Sequence, residues 1–242
     1  MELLLDPKGS QKSWSVYQAL KRRILLGELT SASPVTEQSL AAQYSCSQGT
    51  IREALMHLQQ NGLVERRSYQ GTFVTDVGDT EIMLMVKLLL MCEQECIPLA
   101  IRNAETRDFT HLSRLATAYG AYRSLNDNYS CAELVLEFHK TIFKLANVPQ
   151  IETMMHRTVL ILHRFILTRN NGQIVPLDSS NLKNPFLMIA EAIEKGDAAN
   201  AQEVLEKYLK FAAFRLAPQV YKDVFGGDGS EGDYFLIDPE AS

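Results

Sequence analysis

Apolar residues recur at helical spacing early in the chain. Trp14, Tyr17, Leu20 and Ile24 fall on one face and the run stops at Gly27, which predicts an amphipathic helix with Lys21, Arg22 and Arg23 on its outer side. A polar connector leads to Thr36, a suitable N-cap, and a short helix follows through Leu40, Ala41 and Tyr44. Ser47 then caps a second helix whose apolar face is Ile51, Ala54, Leu55 and Leu58, closed by Asn61-Gly62. Two short extended runs, Leu63–Arg67 and Thr72–Thr75, joined by Ser68-Tyr69-Gln70-Gly71, read as a β-hairpin. Beyond Val77 the periodicity is wholly helical: Ile82–Asn103, interrupted near Pro98, then Asp108–Leu125, Ala132–Ala146, Gln150–Arg169, Pro185–Lys195 and Ala198–Leu216. The pattern therefore predicts a mainly α protein: a helix-turn-helix with a small β-wing over residues 8–77, and an all-helical domain over 80–222. Residues 226–242, with five acids and no Lys or Arg, are expected to form an acidic, frayed tail.

Charge sharpens this division. The net charge of −5 argues against a nucleic-acid partner only until it is split. Residues 8–77 hold eight basic residues (Lys8, Lys12, Lys21, Arg22, Arg23, Arg52, Arg66, Arg67) and five acids (Glu28, Glu37, Glu53, Glu65, Asp76), so positive charge collects on the helix-turn-helix segment. The most apolar stretch, Ile82 to Met91, is ten residues long and contains Lys87, too short for a bilayer span of about 20 residues. The N-terminus lacks the basic and apolar regions of a signal peptide, so a cytoplasmic protein with no membrane partner is expected. Cys46, Cys92, Cys96 and Cys131 suit a reducing compartment, and although Cys92 and Cys96 would share a helix face, no basic neighbour marks them as a reactive pair.

The string TEQSLAAQYSCSQGTIREALMHLQQNGLVERRSYQGTFV resembles the DNA-binding domain of GntR-family regulators, whose usual form is L-x-E-x-x-L-A-x-x-x-x-V-S-R-x-x-V-R-E-A-L-x-x-L-x-x-x-G-L-V…G-x-F-V. The helical remainder, with F-H-K-T-I-F-K-L-A-N-V-P and I-A-E-A-I-E-K-G-D-A-A-N-A, resembles the FCD ligand-binding domain of the FadR-type members. The resemblance implies a ligand-responsive transcriptional regulator, not an enzyme, that binds an inverted-repeat operator in double-stranded DNA as a homodimer and holds a small-molecule effector in its helical domain. The apolar helix Ile82–Met91 is one candidate for the dimer surface, although a fully internal helix explains it equally well.

Read residue by residue, the N-terminal end of the second helix of the motif supplies the DNA-facing candidates Ser47, Gln48, Gly49, Thr50 and Arg52, with Gln38 on the preceding helix. Arg52 suits a phosphate or a guanine edge, and Glu53 beside it is a candidate to orient it; the plainer alternative is that both are a solvated helix face. Arg66 and Arg67 on the wing are candidate backbone contacts, with Tyr69 and Gln70 at its tip, but alternation alone leaves open which arginine faces DNA. Gln38 and Gln48 stand where the family usually has arginine, which implies weaker, less salt-dependent binding and an altered operator.

In the second domain the resemblance implies an Asp four residues before a His, then two further His, as ligands of a divalent metal. These positions fall on Val135, His139, Phe186 and Tyr208, so no metal or other cofactor is expected, and Val135, His139, His163, Phe186 and Tyr208 are the candidate lining of a more apolar effector pocket. His156 and His163, with Arg157 and Arg164 beside them, offer further polar groups, and a metal regulator using either histidine as a substitute ligand is the alternative. A degenerate winged helix that binds protein instead of DNA, motivated by Gln38, Gln48 and the acidic total, is another. No catalytic residues are assigned: a helical enzyme ranks last, because no nucleophile-base pair or phosphate loop occurs at meaningful spacing.

Overall fold

The computed structural model describes residues 11–33, 35–68, 70–169 and 184–226, so Tyr69, Lys8 and most of the acidic tail lie outside the described residues. The chain divides into two units, Met1–Asp76 and Val77–Ser242.

In the first unit, local capping chemistry sets the helix starts. Helices α1 (Gln11–Leu25), α2 (Glu37–Gln43) and α3 (Gln48–Gln60) are followed by strands β1 (Val64–Arg67) and β2 (Gly71–Val74). Thr36 and Ser47 are the N-caps, accepting from the backbone N–H of Ser39 and Thr50 and so satisfying donors that have no intrahelical partner. Ser45, at φ 49, makes the bend between α2 and α3. The core joins Leu20, Ile24 and Leu25 of α1 to Ile51, Ala54 and Leu58 of α3 and to Val64 and Val74, which face each other across the antiparallel hairpin. Gly71 adopts φ +103, a conformation L side chains rarely take, and this closes the wing. One outward assignment fails: Lys21 is buried, because it lies four residues after Tyr17 and three before Ile24, on the core stripe itself.

The second unit contains seven helices among the described residues: α4 (Asp79–Asn103), α5 (Thr106–Ser124), α6 (Asn128–Leu145), α7 (Pro149–Arg169), α8 (Pro185–Glu194), α9 (Ala198–Leu216) and α10 (Pro218–Phe225). The sequence pattern supplied six of them. Helix α10 starts with Pro218 at its first turn and seats Tyr221 against Phe214 and Phe225. Helix α4 packs against α6, α7 and α9 and is the central element of the unit. None of the described helices is long and apolar enough to cross a membrane.

The expected interruption near Pro98 does not occur; α4 is continuous through it. Proline has no N–H, so the carbonyl of Gln94, four residues back, loses its helical donor. Gln202 on α9 replaces it, its Nε2 donating to Gln94 O at 2.6 Å, while Gln94 Nε2 donates to Glu206 at 3.2 Å. The helix persists because a neighbour supplies the missing hydrogen bond. Replacing Gln202 with Ala is expected to cost about 1 kcal/mol in urea unfolding, and much less in a Pro98→Ala background, where the helix regains its own donor.

Candidate nucleic-acid interface and effector cavity

At the head of α3, the Ser47 hydroxyl accepts from Thr50 N at 3.1 Å and lies 3.0 Å from the Thr50 hydroxyl. Both candidates therefore serve the cap, leaving Gln48 and Gly49 exposed at the positive end of the helix. Gln38 is exposed on the first turn of α2, and Gln70 is exposed at the wing tip.

The residue that organises this surface is Glu37, which sequence reading passed over. Arg52 forks onto it, Nε donating to Oε1 at 3.2 Å and Nη2 to Oε2 at 2.8 Å, and Arg66 Nη2 donates to Oε1 at 3.1 Å. One carboxylate at the start of α2 thus gathers a guanidinium from α3 and another from β1. Glu53 does not orient Arg52; Glu37 does. Adjacent helix positions point in different directions, whereas the first turn of α2 is aimed at the arginine. The Arg52 hydrogen bond holds the Glu37 carboxyl below its ordinary value, against partial burial and with help from the charges of Arg52 and Arg66. The clamp is therefore intact at neutral pH and lost only as pH falls through that lowered value.

Strand register separates the two wing arginines. Arg66 pairs with Thr72 and turns toward Glu37, while Arg67 lies on the opposite face, donating to Glu65 at 2.7 Å and capping the Phe73 ring at 4.6 Å. Of the pair, Arg66 is the one brought to Arg52. Both remain more than half exposed, at 62% for Arg52 and 56% for Arg66, and so are open to a partner.

In the second unit, two adjoining cavity lobes of about 20 and 30 Å³ lie among α4, α5, α6, α7 and α9, enough for one or two water molecules each. Val135, His163, Ile166 and Tyr208 line both lobes, and His139 lines the larger. His156, on the same helix as His163, is half-buried and outside the lining.

Phe186 is not a lining residue. It is buried at the centre of an aromatic cluster, edge-on to Tyr119 at 4.8 Å, Tyr208 at 4.9 Å, Phe138 at 5.2 Å and His139 at 6.2 Å. It is set there because Asn184 fixes the start of α8, accepting from Phe186 N and Leu187 N and donating to Ala116 O at 2.6 Å. Asn184 passes so close to Gly120 that an added Cβ there would meet it at 3.3 Å.

Behind His139 lies Glu93 of α4, fully buried, accepting from His139 Nδ1 at 2.5 Å. Its second oxygen, Oε2, is buried without a hydrogen-bond partner. Glu93 was also missed in the sequence, where it is one of several acids on an apolar helix. Tyr208 is held well above its ordinary value, chiefly by burial, with Glu93 among the charges acting in the same direction. Burial pushes the Cys96 and Cys131 thiols up to about 11, and Cys92 is also raised, so these sulfurs stay protonated and poorly reactive at neutral pH. Among the described residues no three His, Cys, Asp or Glu side chains cluster as metal ligands.

Comparison with known proteins places both units. Residues 12–74 match the family model described as bacterial regulatory proteins, gntR family, and residues 85–211 match that of the FCD domain. The chain belongs to the GntR family of transcriptional regulators, with a DNA-binding helix-turn-helix unit and an FCD effector-binding domain. It is 25% identical over 189 residues to the probable D-xylose utilization operon transcriptional repressor of Paenarthrobacter nicotinovorans, covering 77% of this chain and 80% of that one. It is 22% identical over 148 residues to the uncharacterized HTH-type regulator YdhC of Bacillus subtilis, covering 61% of this chain and 66%, just under two thirds, of that protein. The fold is that of McbR/YncC of E. coli, at a TM-score of 0.70 and 17% identity over 86% of this chain and 98% of that one. A GntR regulator from Rhodococcus sp. RHA1 gives 0.62 and 19% over 86% and 99%.

Arg52→Ala is expected to weaken binding to the cognate operator by roughly 10- to 100-fold. Glu37→Ala should act differently: with one negative charge gone and both guanidinium groups unclamped, affinity for random duplex rises while the ratio of operator to random binding falls. Fluorescence anisotropy against both duplexes separates the outcomes, and an unchanged ratio in Glu37→Ala would show that the clamp does not orient the reader.

Proposed function

We propose that this chain is a homodimeric, ligand-responsive regulator that reads an inverted-repeat operator in the cytoplasm and answers to a small-molecule effector held in the second unit without a metal. The observation that carries this reading is the Glu37 clamp, which presents an arginine of the reading helix and an arginine of the wing as one exposed pair. Arg52 and Arg66 are the cationic contacts in this reading, and Gln38, Gln48, Gln70 and the backbone of Gly49 add polar contacts of lower charge. Few cations per half-site mean few counterions released, so the salt dependence of binding is shallow for the family.

A single reading helix reaches one half-site, and two related half-sites call for two copies of the chain. A second copy is the proposed occupant of the outer face of α4. There Leu84, Leu88 and Met91 form a stripe at helical spacing with 55%, 40% and 58% of their surface exposed, although α4 buries its other face in the core. The cavity is proposed as the effector site because His139, His163 and Tyr208 are polar groups set in an apolar wall. At its present volume an effector has to push helices apart to enter, which couples binding to a shift between conformations. The cavity is proposed to be metal-free because Val135 and Phe186 offer no donor atoms where ligands are implied.

Replacing Leu84 and Leu88 together with Glu is expected to yield monomers in sedimentation equilibrium. Affinity for a two-half-site operator should drop, and affinity for an isolated half-site should hold. A dimer that persists in this variant would move the interface away from α4.

A further inference from the structure

Resting on the effector reading above, we propose that the cavity takes an organic amine, bound as its ammonium ion on a small apolar body, with His139 as the contact and Glu93 as the buried countercharge. The described residues that line the two lobes include no Lys, Arg, Asp or Glu, so the charges that touch the lining from behind decide the preference. Glu93 is the one behind the larger lobe, reached through His139. It is fully buried, it meets His139 through one oxygen only, and its other oxygen has no partner. Arg123 stands behind the smaller lobe, donating to the Tyr119 hydroxyl at 2.9 Å, but it is partly exposed, so solvent screens its charge and leaves that of the fully buried Glu93 dominant.

With Nδ1 committed to Glu93, Nε2 is the hydrogen-bonding atom His139 has left to offer. An ammonium ion entering the cavity donates to Nε2 as the acceptor, and its positive charge balances the buried Glu93 carboxylate behind the ring. A carboxylate ligand adds a second negative charge beside the buried Glu93, at a heavy desolvation cost in an apolar wall. A neutral alcohol gains the hydrogen bond but not the charge pairing, so it binds more weakly than the amine. The unpartnered Glu93 oxygen heightens the preference, because a carboxylate with only one donor keeps most of its field.

The test uses the full chain and matched compounds that share a body and differ in the head group: butylamine, butanol and butyrate, then phenethylamine, phenylethanol and phenylacetate. Calorimetry reads the affinities. The expected result is that an amine binds and outranks its alcohol and its carboxylate. Glu93→Gln, which keeps an acceptor for His139 without the charge, should weaken the amine by roughly 10- to 100-fold while leaving the alcohol nearly unchanged. A merely structural role for Glu93 would move both alike. Val135→Phe, which fills both lobes, should abolish amine binding.

A carboxylate or alcohol that binds in a Val135→Phe-sensitive way when the amines do not would overturn the amine assignment and leave the cavity standing as the effector site. Amine binding that survives Val135→Phe, or that Glu93→Gln leaves untouched, also overturns it. Silence from all the compounds does so too, while operator binding measured on the same protein judges the regulatory reading separately.

Discussion

Burying a carboxylate inside a helical bundle is tolerable only where a donor from another element meets it, and in the second unit that requirement falls on Glu93. It sits near the middle of the 25-residue α4, on the face turned to α6, and His139 is the donor. The pair fixes how α4 and α6 face each other. Around it the space is filled with aromatic rings: Phe186, Phe138, Tyr119 and Tyr208 in edge-on contact. A few residues along the same helix, Pro98 creates a second polar demand, the bare Gln94 carbonyl, and α9 answers it through Gln202. Two polar tethers thus hold α4 to α6 and to α9, the helices that carry His139 and Tyr208 on either side of the cavity. Dispersion and apolar burial supply the bulk of the cohesion there, and the tethers choose the arrangement.

Glu37 in the first unit solves a contrasting problem. It is partly exposed, its partners are more exposed still, and a solvated ion pair of this kind contributes little to stability. Its value lies in geometry: a bidentate fork leaves the Arg52 guanidinium in one plane, and Arg66 is drawn to the same carboxylate from the wing. The same residue type therefore acts as a buried organiser in one unit and as a surface positioner in the other, the difference set by the dielectric around it.

Both organisers escaped the sequence because their partners are distant along the chain. Glu37 lies 15 residues from Arg52 and 29 from Arg66, and Glu93 lies 46 from His139. Spacing arguments reach three or four residues within a helix and two within a strand, so they offered Glu53, the wrong neighbour, for Arg52. Lys21 shows a smaller version of the limit: the core stripe was drawn through Trp14, Tyr17, Leu20 and Ile24, and chemical type placed Lys21 outside it although its position lies inside. Phe186 is expected from the sequence in the cavity wall, whereas Asn184 and the start of α8 turn it into the aromatic core.

What the sequence determined by itself were the element types and their order, because helical periodicity, Ser and Thr caps and glycine stops are local physics written in neighbouring residues. The family and its two kinds of unit were legible for the same reason: the motif strings preserve that local grammar. Tertiary structure alone decided which arginine of the wing joins Arg52, why α4 runs unbroken through Pro98, and which charge stands behind His139. Each of these depends on a donor and an acceptor from separate elements meeting in space, and the energy of a buried or bidentate pair is set by distance and burial, which a linear chain does not record.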